Sequence, residues 1–189
     1  MATQDSRIKI KRSTVTATVP TVPSSNDHTD GTWIATDIYK GELFFNQADG
    51  VLWTRDDNGV NCIGGSASLT IASADVLTLN TTPLTIVPAV AGKTISVIGF
   101  SRSVNYGTTA YATNTHLQLK TAGANVGQVQ QSNSLAATTS SHWNDFDRVT
   151  PTAGQTQLLA NADLQVFVPT GNPTAGDSDI TVYVHYRYI

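Results

Sequence analysis

Acids, a histidine and aromatic rings crowd together at one place in the chain, Ser140-Ser-His-Trp-Asn-Asp-Phe-Asp-Arg148. His142, Asp145 and Asp147 are the residue types that ligate a divalent cation, and Asp145 with Asp147 could form the carboxylate pair of a glycosidase. The spacing matches no established ligand pattern. A polar loop in which Trp143 packs as an anchor explains the same letters. Asp56-Asp57-Asn58-Gly59 carries calcium-type side chains but lacks the later ligands and closing glutamate of an EF-hand loop, so it is a turn. Cys62 is the sole cysteine; nothing in the sequence places His28 or another base beside it, and it is expected to be a small buried side chain. Glu42 is the sole glutamate, in an edge strand. There is no Gly-x-Ser-x-Gly elbow, no His-Glu-x-x-His and no phosphate-binding glycine loop. The expectation is a protein that is not an enzyme, with no catalytic residue, no metal and no cofactor.

The elements that would hold these residues are strands. Charged residues make up only 13% of the 189, and hydroxyl, amide and small side chains fill their place, as on extracellular and virion β-proteins. No apolar run reaches the ~20 residues of a membrane helix, and the basic start is followed by no apolar signal core. The net charge of −3 is unevenly spread. Arg7, Lys9, Lys11 and Arg12 face one acid in the first twelve residues, whereas the next stretch to residue 65 is strongly acidic. A short basic arm of this kind suits a protein surface better than nucleic acid, because it has no interleaved aromatics.

Arg7-Ile-Lys-Ile-Lys-Arg12 alternates with the period of a strand, and Pro20 and Pro23 keep the following segment extended. Residues 24–31 are a loop by composition. Lys40 to Ile63 then has the pattern of a β-meander, with Asp49-Gly50 and Asn58-Gly59 as turns. Its apolar residues Leu43, Phe44, Phe45, Leu52 and Trp53 need a partner, which is another part of this chain, another copy of it or a larger body. Set beside the basic arm and the break after Ile63, they are expected to be covered by other chains, so that residues 1–65 alone would be largely unfolded. Gly64-Gly65-Ser66 has the composition of a flexible break. Beyond it, short strands are expected at Leu69 to Ile71, Val76 to Leu79, Leu84 to Val87, Thr94 to Val104, His116 to Leu119, Gly127 to Gln131, Leu164 to Val168 and Ile180 to Ile189. Thr138 to Thr150 is expected to be a long loop. The last strand alternates cleanly, with Ile180, Val182, Val184, Tyr186 and Tyr188 on one face. The whole is all-β: an extended arm over 1–40, a meander or neck over 41–65, and a jelly-roll-like sandwich head over 66–189.

Arg7-Ile-Lys-Ile-Lys-Arg12, Val19-Pro20-Thr21, Gly41-Glu42-Leu43 with Asn46, Ala48-Asp49-Gly50 and Leu52-Trp53, in this order, resemble the N-terminal attachment segment of tailed-bacteriophage fibre and baseplate proteins. From Val76-Leu-Thr-Leu79 through Thr82-Pro83-Leu84 and Ala91-Gly92-Lys93-Thr94-Ile95 to Val182-Tyr-Val-His-Tyr-Arg187, the remainder resembles the small β-sandwich head of trimeric phage fibres. The insertion Asp27-His28-Thr29-Asp30-Gly31-Thr32-Trp33 resembles forms in large phages of gut bacteria, where such proteins decorate the capsid as head fibres. The resemblance implies a virion protein made in a bacterial host cytoplasm. It implies a homotrimer docked on capsid or tail proteins, with no nucleic acid and no membrane insertion. Virion anchoring then falls to Arg7, Ile8, Lys9, Ile10, Lys11, Arg12, Trp33 and Ile34. Inter-subunit packing falls to Leu43, Phe44, Phe45, Leu52 and Trp53. A tail-fibre receptor-binding protein and a monomeric carbohydrate-binding module are the competing readings. Trp143, Tyr106 and Tyr111 are the candidate contacts to a host surface glycan.

Overall fold

The computed structural model describes residues 10–24, 27–121, 124–128, 135–145 and 160–189; at His28, residues 124–128, Asn144 and Asp145 it describes the backbone only. The protein is all-β, and the two helices among the described residues are each four residues long. No helix among the described residues is long and apolar enough to cross a membrane. The chain divides into two compact units, Met1–Ile63 and Gly64–Ile189.

Unit 1 contains β1 (Lys11–Ser13), α1 (Asp27–Asp30), β2 (Leu43–Asn46), β3 (Val51–Asp56) and the first residues of β4 (Gly59–Ile71), in sheet order β1-β2-β3-β4. The β2–β3 hairpin pairs Phe44 with Trp53 and Asn46 with Val51. Gly50, at φ 65°, supplies the left-handed turn that the Asp-Gly sequence predicts. β1 lies parallel to β2, Lys11 opposite Phe44, which requires a long crossover; residues 14–42 provide it. This return corrects three sequence expectations. Residues 24–31 contain the helical turn α1. The arm is not a separate extended peptide but the edge strand of the meander, tied in again where Ile38 N donates to Thr21 O at 3.0 Å. Phe44 and Trp53 also need no other chain: they are 0% and 1% exposed, packed in a core with Ile38 and Val51. Burial of two large aromatics contributes several kcal/mol, since deleting either one costs about 3–5 kcal/mol. Residues 1–63 therefore have a core of their own, and the expectation that they are unfolded alone is withdrawn.

Unit 2 takes the rest of β4, then α2 (Ser73–Val76), β5 (Leu84–Val87), β6 (Ile95–Asn105), β7 (Gln118–Thr121), β8 (Ala124–Gln128), β9 (Ser141–Asp145), β10 (Leu164–Phe167) and β11 (Asp179–Tyr188). Its strands lie in the orders β4-β11-β6-β9 and β5-β10-β7-β8. β11 alternates as its sequence predicts: Ile180, Val182, Val184, Tyr186 and Tyr188 are buried, and Thr181, Tyr183, His185 and Arg187 face outward. The inward residues of β11 join Phe100 and Val104 of β6 and, from the second set of strands, Val87, Leu119, Leu164 and Val166.

Three segments of unit 2 differ from their sequence expectation. Gly64-Gly65-Ser66 is not a flexible break: it lies within β4, with Gly65 opposite Tyr186 and Ser66 opposite His185, so ladder hydrogen bonds hold what composition suggested was loose. Val76 to Leu79 is not a strand. Val76 and Leu79 are buried three residues apart, the spacing of a helical turn, and the amides of Val76, Thr78 and Thr82 point back to Ala72, Asp75 and Thr78. Ser141–Asp145, expected within a long loop, is strand β9 because it finds a partner, pairing antiparallel with Phe100–Val104 of β6.

Candidate functional site

The described residues among those carrying the attachment-segment resemblance lie in unit 1, and several have a physical task. Gly41, at φ 80°, turns the chain into β2. Glu42 Oε2 accepts hydrogen bonds from Lys11 Nζ and from Tyr39 N, both at 2.8 Å. Partial burial pushes the Glu42 carboxyl upward, but the Lys11 and Tyr39 hydrogen bonds and the Lys11 charge outweigh it and leave the group below its usual range. Lys11 Nζ also donates to Asp37 O at 2.7 Å and sits 4.6 Å from the Trp33 ring centroid.

Asn46 and Asp49 form a second clamp. Asn46 is 1% exposed; its Nδ2 donates to Val15 O and Thr18 O, each at 3.1 Å, and to Asp49 Oδ2 at 2.6 Å. Its Oδ1 accepts from Ala48 N at 3.0 Å. Asp49 Oδ2 in turn accepts from Ala17 N at 2.6 Å, fixing a residue held at φ 60°. Burial raises the Asp49 carboxyl, and the Ala17 amide offsets only part of this. The two clamps bind the arm to the meander, so the letters of the motif encode how the arm is seated. Asp37 adds a third tie, accepting from Thr21 Oγ1 at 2.6 Å and Ile34 N at 2.9 Å.

The expected anchoring residues therefore divide. Arg7, Ile8 and Lys9 lie outside the described residues. Lys11 is engaged within unit 1 rather than offered to a partner, which corrects its expected role as an anchoring cation. Ile10, Arg12, Trp33 and Ile34 are exposed. Of the expected inter-subunit set, Phe44 and Trp53 are internal, Leu43 and Leu52 are half-buried, and Phe45 is exposed. Cys62, expected to be buried, is half-buried.

The candidate glycan contacts do not meet. Tyr111 is 2% exposed and donates its hydroxyl to Ser178 O at 2.6 Å; this removes it as a sugar platform and makes it a core residue. Burial, then the charges of Asp179 and Asp177, push its phenol up to about 12. Trp143 is half-buried in β9 opposite Arg102, whose guanidinium carbon lies 4.8 Å from the ring centroid. Arg102 is itself 1% exposed, so Trp143 is turned towards a buried neighbour rather than outward. Tyr106 is half-buried and donates its hydroxyl to Thr108 O at 2.9 Å. No group of three or more His, Cys, Asp or Glu side chains that could hold a metal is present among the described residues, and Asp147 lies outside them.

Sequence reasoning missed the Asn46–Asp49 clamp as a structural device, although both letters stood in the motif. It placed Tyr183 and His185 on the outward row of β11, the second half of the alternation, but assigned that row no ligand.

No family model matches this sequence, and no curated protein matches it. Among solved structures, one similar chain belongs to a cyanophage Pam1 capsid asymmetric unit, at 15% identity and a TM-score of 0.38, over 66% of this chain and 84% of that one. A likeness this distant carries no argument about this chain.

Proposed function

We propose that this is a structural protein of a tailed-bacteriophage particle, a short trimeric fibre or decoration protein. Unit 1 docks on the capsid, and unit 2 is an exposed head without enzymatic activity. One observation supports this above the others. Seven of the nine exposed large hydrophobic residues among those described fall in unit 1: Ile10, Val15, Val22, Trp33, Ile34, Phe45 and Ile63. A unit that buries Phe44 and Trp53 yet leaves these outside keeps apolar surface for a partner. The resemblance supplies the kind of partner, and the clamps at Glu42, Asn46 and Asp49 give its motif a structural reason. In unit 2 the strand orders β4-β11-β6-β9 and β5-β10-β7-β8 support a jelly-roll reading, an arrangement at home in capsid and lectin domains. Three-fold packing would bury surface that one small sandwich leaves open.

Substituting Asp for both Trp33 and Ile34, which are 42% and 53% exposed, is expected to cost no more than about 2 kcal/mol of stability, about 0.5 for each surface change and up to about 1 for the Lys11–Trp33 contact. The same change is expected to lower incorporation into purified particles at least tenfold, as about 1.4 kcal/mol of lost docking energy suffices for that. Normal incorporation of the double variant would overturn attachment through this surface. Native mass measurement of the unaltered protein is expected to give three chains, and a monomer at micromolar concentration would remove the trimer.

A further inference from the structure

The outward face of β4, β11, β6 and β9 contains a shallow depression of about 360 Å³ lined by Ser66, Ser68, Ser101, His142, Tyr183 and His185. Register brings these residues together. His185 lies opposite Ser66, and Tyr183 lies between Ser68 and Ser101 on its two neighbouring strands. His142 enters from β9 opposite Ser103, one pair further along. Its ring is 5.7 Å from that of Tyr183 and tilted by 52°.

Two features set this patch apart from an ordinary wet sheet face. The first is that its polar groups are left available. One row along the same face, Thr70 and Thr181 join their hydroxyls at 3.0 Å. Elsewhere on the surface Thr113 pairs with Thr174 and Thr21 with Thr36 in the same way. By contrast, the three serine hydroxyls, the Tyr183 hydroxyl and the two imidazoles make no hydrogen bond to the described residues. The second feature is chemical. No carboxylate, ammonium or guanidinium of the described residues lines the depression. Every hydroxyl there can both donate and accept, and each neutral imidazole has one nitrogen of each kind. A ligand rich in hydroxyls and without charge satisfies such a surface group by group. An ion would find no permanently charged side chain among the described lining residues to repay its lost hydration. The tilted Tyr183 and His142 rings offer an apolar flank beside the polar rim, matching the C–H and O–H faces of a sugar ring. The volume lies within the range of small-ligand sites.

We infer that this depression binds a neutral carbohydrate, one or two uncharged sugar units of a surface glycan. The site is distinct from Trp143, Tyr106 and Tyr111, and it lies on the face of β9 opposite to Trp143. The inference deepens the proposed role of the head, yet it is tested separately: particle attachment is read on Trp33 and Ile34, and sugar binding on unit 2.

The test uses the full-length protein and NMR of the His142 and His185 ring protons. Methyl glycosides of glucose, galactose, mannose and N-acetylglucosamine are titrated to ~20 mM, with glucuronate as the charged comparison. At least one neutral glycoside is expected to shift both rings saturably while glucuronate does not. Ser68→Trp, which fills the depression from an exposed position, is expected to weaken binding at least tenfold. Tyr183→Phe, which removes one hydroxyl and keeps the ring, is expected to weaken it several-fold and provides the reading if Ser68→Trp does not fold. The inference fails if no neutral glycoside shifts the rings, if glucuronate alone does, or if Tyr183→Phe binds like the parent. It fails equally if Ser68→Trp breaks an oligomer of a protein that shows no sugar response, because the face is then a contact between copies.

Discussion

Replacing Gly176 with alanine is expected to destabilise unit 2 by about 4 kcal/mol, a large share of the ~5–15 kcal/mol by which an ordinary domain is stable. Two independent costs coincide at this position. Gly176 sits at φ 91°, where an L side chain is strained. A Cβ there would also overlap the Tyr111 ring, whose Cε1 would lie 2.6 Å away. Tyr111 cannot step aside, because it is buried and its hydroxyl is held by Ser178 O. The ring's other surroundings are pinned as well. Asp177 accepts from the Thr108 hydroxyl and from the Thr109 and Thr108 amides, which hold its carboxyl below the usual range and fasten residues 107–109 beside it. Gly92→Ala is the control: φ is 71° there, but no atom lies within 4 Å of the added Cβ, so about 1 kcal/mol is expected. Denaturant unfolding of the two variants separates steric overlap from backbone strain. Equal losses would contradict the packing assigned to Tyr111.

The second large effect is expected at Asn46. Asn46→Leu removes the amide that holds Val15 O, Thr18 O and Ala48 N, and leaves these groups without their buried partner. Orphaned buried groups cost about 1–3 kcal/mol each, and partial rehydration of the arm brings the expected total to about 3 kcal/mol. The loss is local. Hydrogen exchange at Ala17 and Thr18 is expected to accelerate by two orders of magnitude or more, while β11 amides are unchanged. Asn46→Asp sharpens the point through pH. It places a second carboxylate against Asp49, whose own carboxyl burial already raises. A folded-state pKa above the unfolded one means that the folded form binds more protons in that window. Stability is therefore regained as pH falls through the raised value, and is lost as pH rises through it. Exchange at Ala17 that slows in Asn46→Asp on acidification, with no such change in Asn46→Leu, is the expected result.

These two sites show how far the sequence could be read. Gly50 and Gly59 were legible as turns because Asp-Gly and Asn-Gly demand positive φ locally. β11 was legible because its alternation runs over ten residues. Gly176 was not: its constraint is Tyr111, 65 positions away, and nothing local announces it. β9 was hidden for the same reason, since its strand character comes from pairing with β6 rather than from its own aromatic and acidic letters. The meander was read as short of core because Ile38 and the returning arm were counted as outside it, whereas the parallel β1–β2 pair and the Thr21–Asp37 bridge bring them in. Of the candidate anchoring residues, Trp33 and Ile34 are exposed. The glycan candidates were chosen as aromatics, and aromatics in a sandwich are drawn inward, as Tyr111 was. The hydroxyl and imidazole face emerged only from the register of four strands distant in sequence.

The most direct test of the proposed role is a cryo-electron microscopy map of phage particles purified together with this protein. The account predicts density for unit 1 seated on the particle surface, with Trp33 and Ile34 covered by another protein, and unit 2 projecting with the Ser68–Tyr183 face open. A map in which unit 2 contacts the particle while Trp33 and Ile34 face solvent would contradict it.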